Sequence, residues 1–491
     1  MLLYLYKQKR RVTLKKRILV TGATGYVGGL LLQQLDTQLY QVRALARYPQ
    51  NLLSRLGKRE VDVVQADVLD PISLEKALQG IDIAFYLIHS MAATQAFEKL
   101  EEQGAYHFAR AAKKAGVQKI IYLGGLVAAE TRLSAHMRSR CRVGEILAST
   151  GVAVCELRSS VIIGAGSLSY EMMKALVNKL PVMIAPQWIE KLVQPIYIQD
   201  VLLYLCEAMQ LTWSGHLIIE IGGATQVSYK NFMLAYAAEK KLKRKIFTVP
   251  VLTPWLSSLW LGLVTPVYAR IGRKLIQSIQ HDSIVRSHAA REYFSIKPLG
   301  YQEALHKVIA EEKKQMIRRW YSAISSRGFV KKTFHADPKK RKKKSYEHMI
   351  DASPEKVYRY LQTLGGKNGW YGEWLWKLRG VIDLLCGGVG CRRLRLDATS
   401  LQVGDPVDFW RVIVMKENEQ IVFKAEMKVP GEAFLTFYLK PSGHKTLLRM
   451  ESIFDPQGLF GKLYWYLLLP FHEYIFKGLI HRIVKEAPSH K

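Results

Sequence analysis

Three glycines near the start of the chain have the spacing of a turn that binds a dinucleotide. Gly22, Gly25 and Gly28 follow the apolar run at 18–20 and precede the leucines at 30–32. A strand, a glycine turn and a helix start in that order let backbone N–H groups approach a pyrophosphate, and the helix N-terminus adds partial positive charge. The residues predicted to bind this part of a dinucleotide are Gly22, Thr24, Gly25, Tyr26, Val27 and Gly28.

The residues that follow the next three strands indicate which dinucleotide binds. A carboxylate after the second strand would accept a hydrogen bond from the ribose 2′-hydroxyl of NAD, whereas Arg47, with Arg43 in support, can pair with a 2′-phosphate. NADP(H) is therefore favoured over NAD(H). Asp67 and Val68, after the third strand, are expected at the adenine edge, and His89, after the fourth, along the far half of the cofactor.

Alternating strand and helix signals surround these residues. The predicted strands are 17–20, 41–46, 61–66, 83–88, 119–123 and 153–157, and the predicted helices are 30–35, 72–78, 96–114 and 137–148. Short apolar strands separated by helices predict an α/β fold, a Rossmann-type doubly wound parallel sheet buried on both faces. Beyond residue 160 the alternation weakens, and residues 229–325 are expected to be mostly helical.

The last third of the chain has a different pattern. Phe423, Ala425, Met427 and Val429 alternate with charged residues, and further strands are predicted at 394–397, 407–414, 434–439 and 446–454. Such alternation is typical of an antiparallel sheet with one covered face, and the apolar segment 459–484 is the expected cover. This order predicts an α+β helix-grip domain.

A sheet curved around a helix leaves an apolar cavity in which a hydrophobic ligand could bind. The tryptophans predicted to line it are Trp370, Trp374, Trp376 and Trp410, and the polar anchors considered are Arg411, Glu426 and His472. The alternative is that these tryptophans are ordinary core residues and the charges face solvent.

The predicted domain organisation has four parts. Residues 1–15 form an N-terminal tail, 16–328 the nucleotide-binding domain with a helical extension, 329–345 a basic linker, and 346–491 the helix-grip domain. The basic run at 331–344 is interpreted as a solvated linker, with contact to anionic lipid or nucleic acid as the alternative.

The composition is that of a multidomain globular protein with a strongly basic charge balance. The chain has 491 residues, 49% of them hydrophobic, and a formal net charge of +31. This charge suits an anionic membrane or nucleic acid, although cations spread over solvated faces would give the same total. The sequence has no recognised nucleic-acid-binding motif, so nucleic acid is the less favoured partner, and the oligomeric state is left open.

Cysteine use and hydropathy indicate the compartment. The five cysteines form no C-x-x-C pair, which predicts reduced thiols in a cytoplasmic protein, with neither a metal site nor disulfides. Cations follow the apolar start of the chain, the reverse of a signal peptide. The apolar segments 249–271 and 459–484 are interrupted by proline or charge, so buried helices are predicted, with interfacial contact at a membrane as the alternative.

Several motifs together resemble a known superfamily. Thr-Gly-Ala-Thr-Gly-Tyr-Val-Gly at 21–28, Ala-Leu-Ala-Arg at 44–47 and Ala-Asp-Val at 66–68 resemble the short-chain dehydrogenase/reductases (SDRs). The similarity is greatest to the atypical branch, which includes NmrA-like proteins and the NAD(P)-binding accessory subunit of respiratory complex I. It covers residues 16–325.

The C-terminal part carries a second resemblance. Gly-Trp-Tyr at 369–371, Trp-Leu-Trp-Lys-Leu-Arg-Gly at 374–380, Gly-Asp-Pro-Val-Asp-Phe-Trp-Arg at 404–411 and Leu-Pro-Phe-His at 469–472 resemble a poorly characterised domain fused to such proteins. That domain is itself similar to the helix-grip folds of the START/SRPBCC type.

The resemblance also implies a catalytic pattern, from which this chain departs. SDR reductases use Tyr-x-x-x-Lys on one helix and a Ser at a strand end, but the matching positions here are His136, Arg140 and Gly124. His136 could replace the acid while Arg140 holds the ribose or a phosphate. Alternatively the site binds cofactor without turnover, or both residues form a plain polar helix face.

Two functions remain open on the sequence alone. The first is an NADP(H)-dependent oxidoreductase acting on an unidentified hydrophobic substrate. The second is a non-catalytic NADP(H)-sensing or assembly protein whose C-terminal domain binds a lipid or quinone. Either function is compatible with peripheral contact at an anionic membrane.

Overall fold

The computed structural model describes residues 15–57, 59–88, 97–126, 135–249, 281–312, 341–385, 390 and 399–489. The chain forms two compact units that divide between Ser325 and Ser326. Each unit has its own buried apolar core.

The described part of the first unit contains parallel strands joined by helices. Its strands are β1 (Arg17–Val20), β2 (Gln41–Ala46), β3 (Asp62–Gln65), β4 (Ile83–Tyr86), β5 (Lys119–Gly125), β6 (Ala153–Ser159), β7 (Ile162–Ile163), β8 (Val182–Pro186), β9 (Leu192–Val193), β10 (Ile196–Tyr197), β11 (His216–Ile221), β12 (Val227–Ser228) and β13 (Lys245–Val249). Its helices are α1 (Tyr26–Gln34), α2 (Gln50–Leu56), α3 (Pro71–Leu78), α4 (Phe97–Lys114), α5 (Ala135–Ala148), α6 (Leu168–Lys179), α7 (Ile198–Ala208), α8 (Tyr229–Glu239), α9 (Ala290–Tyr293) and α10 (Tyr301–Glu311).

Seven of these strands form a single parallel sheet in the order β3-β2-β1-β4-β5-β6-β11. The strand order reverses between β1 and β4, and this reversal opens a crevice outside the carboxyl ends of both strands. The predicted Rossmann-type doubly wound sheet is confirmed.

Alternate residues of the central strand enter two separate cores, one on each face of the sheet. Ile18 and Val20 belong to one apolar cluster and Leu19 to the other, and all three are fully buried. A strand covered on both faces needs an apolar residue at every position, which explains the uninterrupted apolar runs in the sequence.

The expectation of a mostly helical stretch over 229–325 was wrong in part. The described residues there include three helices, α8, α9 and α10, but β13 pairs in parallel with β8 along its whole length. The strand Lys-Ile-Phe-Thr-Val is short and only partly buried, so its periodicity gives little signal.

The second unit combines an antiparallel sheet with a long C-terminal helix. Its strands are β14 (Lys342–Ile350), β15 (Pro406–Val407), β16 (Trp410–Lys416), β17 (Gln420–Ala425), β18 (Gly431–Ser442) and β19 (Lys445–Pro456), and its helices are α11 (Pro354–Leu361), α12 (Glu373–Leu385) and α13 (Gly458–Glu486). The six strands form one antiparallel sheet in the order β14-β19-β18-β17-β16-β15. The α+β helix-grip architecture is confirmed, and the predicted strand at 394–397 lies outside the described residues.

The basic run extends into this sheet. The predicted linker ended at residue 345, but β14 already begins at Lys342 and pairs with β19 from Phe454 onward. Lys342 and Lys344 are half-buried edge-strand residues rather than linker. Lysines at an edge strand discourage further strand pairing, so their charge is compatible with a sheet position.

Helix α13 changes its environment along its length. Its C-terminal half carries the core residues Ile475, Phe476, Leu479, Ile480 and Ile483, whereas Gly461 and Trp465 are the buried residues of its N-terminal half. Pro470 lies between the halves, where it removes one backbone hydrogen bond of the helix. None of the described helices has the combined length and apolarity needed to cross a bilayer.

Candidate functional site

The glycine turn lies at the switch point of the parallel sheet, between β1 and α1. Gly22 has φ +63°, and a Cβ there would lie 2.4 Å from the backbone oxygen of Leu87. A Cβ at Gly28 would lie 2.4 Å from the Gly22 oxygen. Only glycine fits either position, because turn, helix and neighbouring strand end touch through their backbones. Gly25 is the N-cap of α1 and has no side chain to satisfy the first N–H groups, which leaves them available to an anion.

Thr21 fixes this turn and was missed by the sequence analysis. It is fully buried, its Oγ1 donates to the Phe85 oxygen at 2.9 Å, and it accepts a hydrogen bond from the Leu87 N–H at 3.1 Å. The threonine thus joins the ends of β1 and β4. The signal was available, since a hydroxyl at the end of an apolar strand needs a partner when buried.

The side chain of Tyr26 points away from the predicted pyrophosphate position. It is 6% exposed and packs in the core, where a Cβ at Gly164 would lie 2.1 Å from its hydroxyl oxygen. Burial, reinforced by Glu171, raises its pKa well above the usual range. The part of Tyr26 that remains for cofactor binding is its backbone N–H.

The two arginines of β2 have different surroundings. Arg47 is exposed just beyond the strand, and no described residue forms a hydrogen bond or ion pair with it. Arg43 pairs with Asp62 at 2.7 Å and donates to the Ala77 oxygen at 3.0 Å. The expectation that Arg43 assists a 2′-phosphate was therefore wrong, because its guanidinium is held at the far end of α3.

Asp67 and Val68 follow β3 at the same edge of the sheet. The Asp67 carboxylate accepts the Leu69 N–H at 3.1 Å and so closes its own turn. Val68 packs on Gly104 of α4 and lines a cavity of about 20 Å³. His89 lies outside the described residues, so its predicted place beside the cofactor stays a prediction.

The Arg140 side chain extends from α5 and contacts β5. Its guanidinium donates to the Leu123 oxygen and lies 5.3 Å from the centre of the Tyr122 ring. The Tyr122 hydroxyl in turn donates to the Arg140 oxygen at 3.1 Å. Burial raises the pKa of Tyr122, an effect that Arg140 opposes only in part, so this phenol stays protonated. His136 lies one turn earlier on α5, and its side chain is outside the described residues.

The third catalytic position faces a buried carboxylate that the sequence analysis did not identify. Glu156 is 1% exposed, accepts from Arg158 Nε at 2.7 Å and lies 3.0 Å from His216 Nε2. A Cβ at Gly124 would lie 3.1 Å from Glu156 Oε1, and one at Gly144 would lie 2.1 Å from Oε2. Glycines on both sides therefore make room for the carboxylate, and a serine at 124 would crowd it. Among the described residues, no group of His, Cys, Asp and Glu is arranged to hold a metal ion.

A second candidate site lies inside the second unit. Residues of α12, α13 and the sheet enclose an apolar cavity of about 200 Å³. Trp376, Trp410 and His472 line it as predicted, and Trp465 lines it although it was not predicted. The cavity forms because the N-terminal half of α13 contributes few side chains to the core.

The other predicted cavity residues have different roles. Trp370 is core, and its Nε1 donates to Asp408 at 2.8 Å. Trp374 is 61% exposed. Arg411 lies on the opposite face of β16, where its Nε is 2.7 Å from a Glu426 oxygen. Arg411 and Glu426 were wrong as anchors because they satisfy each other.

Two buried polar atoms of the cavity residues have no hydrogen-bond partner among the described residues. They are Nδ1 of His472 and Nε1 of Trp410. Burial lowers the pKa of His472 to about 4, so the ring is neutral at physiological pH. A neutral imidazole has one donor and one acceptor nitrogen, and an indole has one donor. The cavity is thus an apolar volume whose wall includes two residues with buried nitrogens that have no partner among the described residues.

Family comparisons match one family in each unit. Residues 14–143 match the NmrA-like family, and residues 343–479 match a family described as a protein of unknown function, DUF2867. The predicted fusion of an NmrA-like fold with an uncharacterised C-terminal domain is confirmed.

Curated relatives match a short part of the chain. Ceramide reductase of Caulobacter vibrioides (strain NA1000 / CB15N) is 30% identical over 131 residues, which cover 26% of this chain and 40% of that protein. Cinnamoyl-CoA reductase 1 of Oryza sativa subsp. japonica is 29% identical over 114 residues, which cover 22% of this chain and 34% of that protein. The chain therefore spans less than half the length of these curated relatives.

Solved structures are similar in fold. The triphenylmethane reductase of Citrobacter sp., complexed with NADP(H), has a TM-score of 0.49 and 17% identity, with 60% of this chain and 99% of that chain covered. UDP-glucose 4-epimerase of Thermotoga maritima has a TM-score of 0.47 and 16% identity, with 61% and 99% covered. At such identities the likeness concerns the fold alone.

Proposed function

We propose that the first unit is an NADP(H)-dependent oxidoreductase domain of the atypical SDR type that acts on a hydrophobic substrate. The observation that carries the proposal is the pairing of two features at one sheet edge. The glycine turn ends β1 at the switch point, and Arg47 ends the neighbouring strand β2 without a partner among the described residues.

An exposed arginine at this place is suited to a 2′-phosphate. A guanidinium binds phosphate through two parallel N–H donors, and it stays charged at any physiological pH. A ribose 2′-hydroxyl would instead call for a carboxylate acceptor at this strand end. The asymmetry between Arg47 and Arg43 adds support, since the chain neutralises one arginine with Asp62 and leaves the other available.

We take the class of reaction from the names of the relatives and the residues that would carry it out from this chain. Two matched relatives are named reductases, and we extend the reaction class to this chain without their substrates. NADPH would supply the hydride. His136 would donate the proton to the substrate oxygen, since an imidazole titrates near neutral pH. Arg140 would have to leave the Leu123 oxygen before it could hold the ribose.

A cofactor titration tests the proposal directly. We expect the full chain to bind NADPH more tightly than NADH, measured by nicotinamide fluorescence. Arg47→Gln should weaken NADPH binding about 10- to 100-fold, the loss expected for hydrogen bonds to a charged group, and leave NADH binding unchanged. Arg291→Gln, an exposed arginine on α9, is the matched control. Equal loss for both cofactors, or no loss, would contradict the assignment of Arg47.

A second function is favoured by two observations. The Arg140 guanidinium is hydrogen-bonded to the Leu123 oxygen, and Gly124 stands where a reductase of this type has a serine. With both positions altered, the domain could sense NADP(H) or serve in assembly without turnover. The experiment that decides is a panel of carbonyl, quinone and flavin acceptors with NADPH. Oxidation of NADPH that is lost in His136→Ala supports the reductase, whereas tight NADPH binding with no acceptor supports the sensor.

We also infer that the second unit is an SRPBCC-like domain that binds a hydrophobic small molecule such as a lipid, isoprenoid or quinone. The apolar cavity of about 200 Å³ between α12, α13 and the sheet supports this. Organic extraction and mass spectrometry of protein purified from cells should return a ligand in near-stoichiometric amount. An empty cavity would contradict the inference.

For the whole chain we propose a cytoplasmic location with peripheral contact at an anionic membrane. The charge of +31 and the apolar surface of α12 and α13 support that contact.

A further inference from the structure

Two helices of the second unit expose large apolar side chains to solvent. They include Trp374, Leu378 and Ile382 of α12 and Phe460, Leu463 and Leu467 of α13. We call these six residues the α12/α13 apolar face. Phe460 is 72% exposed and Leu467 70%, values usual for charged residues. Apolar groups of this size, gathered on two helices, mark a surface that contacts something other than water.

The exposed residues lie on one side of each helix. In α12 they recur every four residues, and in α13 at intervals of three and four. This spacing puts each set on one helix face, while Trp465 and Gly461 of α13 point inward. The exposure is therefore a second apolar stripe, opposite the one that serves the core.

Side chains connect the two helices at two places. Arg379 Nε of α12 is 3.4 Å from the Tyr464 hydroxyl of α13. Near the other end the rings of Tyr371 and Tyr474 have centroids 5.5 Å apart. The two helices therefore approach each other through these side chains, and both line the same cavity.

The cavity opens on the α12/α13 apolar face. Leu378, Ile382 and Phe471 line the cavity, yet they are 54%, 47% and 49% exposed. A residue that is both cavity wall and half-exposed surface marks the rim of an opening. A ligand that leaves the cavity here therefore meets the α12/α13 apolar face rather than water.

Lysines surround the apolar face. Lys377 and Lys477 are 58% and 59% exposed, and Lys462 is exposed between Phe460 and Leu463. From the sheet edge, Lys342 Nζ lies 2.9 Å from the Tyr466 hydroxyl.

The acidic residues at this border are neutralised. Glu473 pairs with both Lys344 and Lys477 at 3.3 Å, and Glu373 lies 3.5 Å from Lys377. Because Lys342 and Lys462 add to these three lysines, the border has five lysines against two glutamates and keeps a positive excess.

We propose that the α12/α13 apolar face docks on an anionic lipid bilayer, so that the cavity opens toward the acyl chains. The proposal rests on the peripheral membrane contact proposed above and identifies its surface. A half-inserted amphipathic helix with lysines at its edges and aromatic residues at the border has the chemistry of an interfacial helix. A second copy is the less suitable occupant, because two faces with like-charged borders repel each other.

Vesicle flotation of the full chain tests the docking. We expect binding to phosphatidylcholine vesicles that contain about a third phosphatidylserine, and much weaker binding to phosphatidylcholine alone. The double variant Phe460→Glu/Leu467→Glu should lose at least about tenfold in partitioning, since it removes apolar contact and adds two negative charges. Ile72→Glu is the matched control, because Ile72 is 70% exposed in the first unit.

A milder variant separates docking from folding. Lys377→Gln/Lys462→Gln changes only exposed side chains and should lower the partitioning to anionic vesicles alone. With brominated acyl chains, tryptophan quenching should fall in Trp374→Phe, because Trp374 lies on the docking face.

Three outcomes would overturn the proposal. They are wild-type protein that does not float, Glu variants that float as well as the control, and Glu variants that change only the oligomeric state in light scattering. NADPH affinity is measured on the same samples. If the wild-type protein does not float, the proposed peripheral membrane contact is wrong as well. If it floats and the Glu variants float equally well, only the docking surface is wrong. In either case an intact NADPH affinity leaves the cofactor proposal standing.

Discussion

At the residue scale, the candidate nucleotide site depends on two glycines and on one arginine whose side chain has no partner among the described residues. Gly22 and Gly28 allow three backbone segments to meet, and Arg47 lacks a partner among the described residues. The catalytic positions differ, since Arg140 is bound to the Leu123 oxygen and Gly124 faces Glu156. The glycine turn is therefore formed, whereas the proposed reaction would require Arg140 to leave the Leu123 oxygen.

Gly22→Ala should destabilise the protein more than the same change at a glycine of similar φ. Gly116 has φ +74° just beyond the end of α4, and a Cβ added there would meet nothing within 4 Å, so Gly116→Ala measures the left-handed strain alone, about 1–2 kcal/mol. Gly22→Ala has that strain and also the clash with the Leu87 oxygen. Urea unfolding should show the larger loss at Gly22, together with weaker NADPH binding. Equal losses would mean that the backbones separate easily.

His472 should make the second unit sensitive to acid. Burial lowers its folded-state pKa to about 4, below the value of about 6.5 in an unfolded chain. The unfolded state therefore binds more protons between these values, and stability falls as the pH drops through this window. His472→Gln should reduce the loss of unfolding free energy between about pH 7 and pH 5 by about 2 kcal/mol.

The control for this pH effect is His444→Gln, whose side chain is 82% exposed. Urea unfolding at the two pH values should give the wild-type loss in this variant. If His472→Gln keeps the full loss of stability, the imidazole is not the group that titrates.

At the element scale, local residue types account for the start of α11. Ser353 accepts a hydrogen bond from the Lys356 N–H at 3.4 Å, and Pro354 occupies the first helical position. Serine favours the N-cap and proline the first helical position. β13 and the beginning of β14 were missed, because a short or charged edge strand lacks the periodic pattern that reveals a strand.

Ser353→Ala should cost about 1 kcal/mol of stability, since it removes the cap of α11. Ser353→Asp keeps an acceptor at the same place and should recover most of the loss. Thermal or urea unfolding of both variants measures the difference. A loss of equal size in the aspartate variant would show that the hydrogen bond is not the cause.

At the scale of the whole molecule, charge and apolar surface act together in the proposed docking. The net charge of +31 attracts the chain to any polyanion, whereas the α12/α13 apolar face discriminates in favour of a bilayer. The two contributions differ in range. Electrostatic attraction is screened by salt, while apolar contact is not.

Vesicle binding should therefore respond to salt in two stages. Raising the ionic strength from about 0.1 M to 1 M shortens the Debye length from about 10 Å to 3 Å, so flotation on anionic vesicles should fall steeply. The residual binding should depend on Phe460 and Leu467, and the Glu double variant should remove it. A wild-type protein whose flotation does not change with salt would contradict the electrostatic part.

The sequence by itself determined the elements whose pattern is local. The glycine spacing, the continuous apolar runs and the period-two alternation predicted both folds, because burial on one or two faces dictates which positions must be apolar. Only the tertiary structure decided which charged groups are free. Arg43 meets Asp62 and Arg411 meets Glu426, whereas Arg47 has no described partner. Such pairing joins residues far apart in the chain, and a one-dimensional pattern carries no record of it.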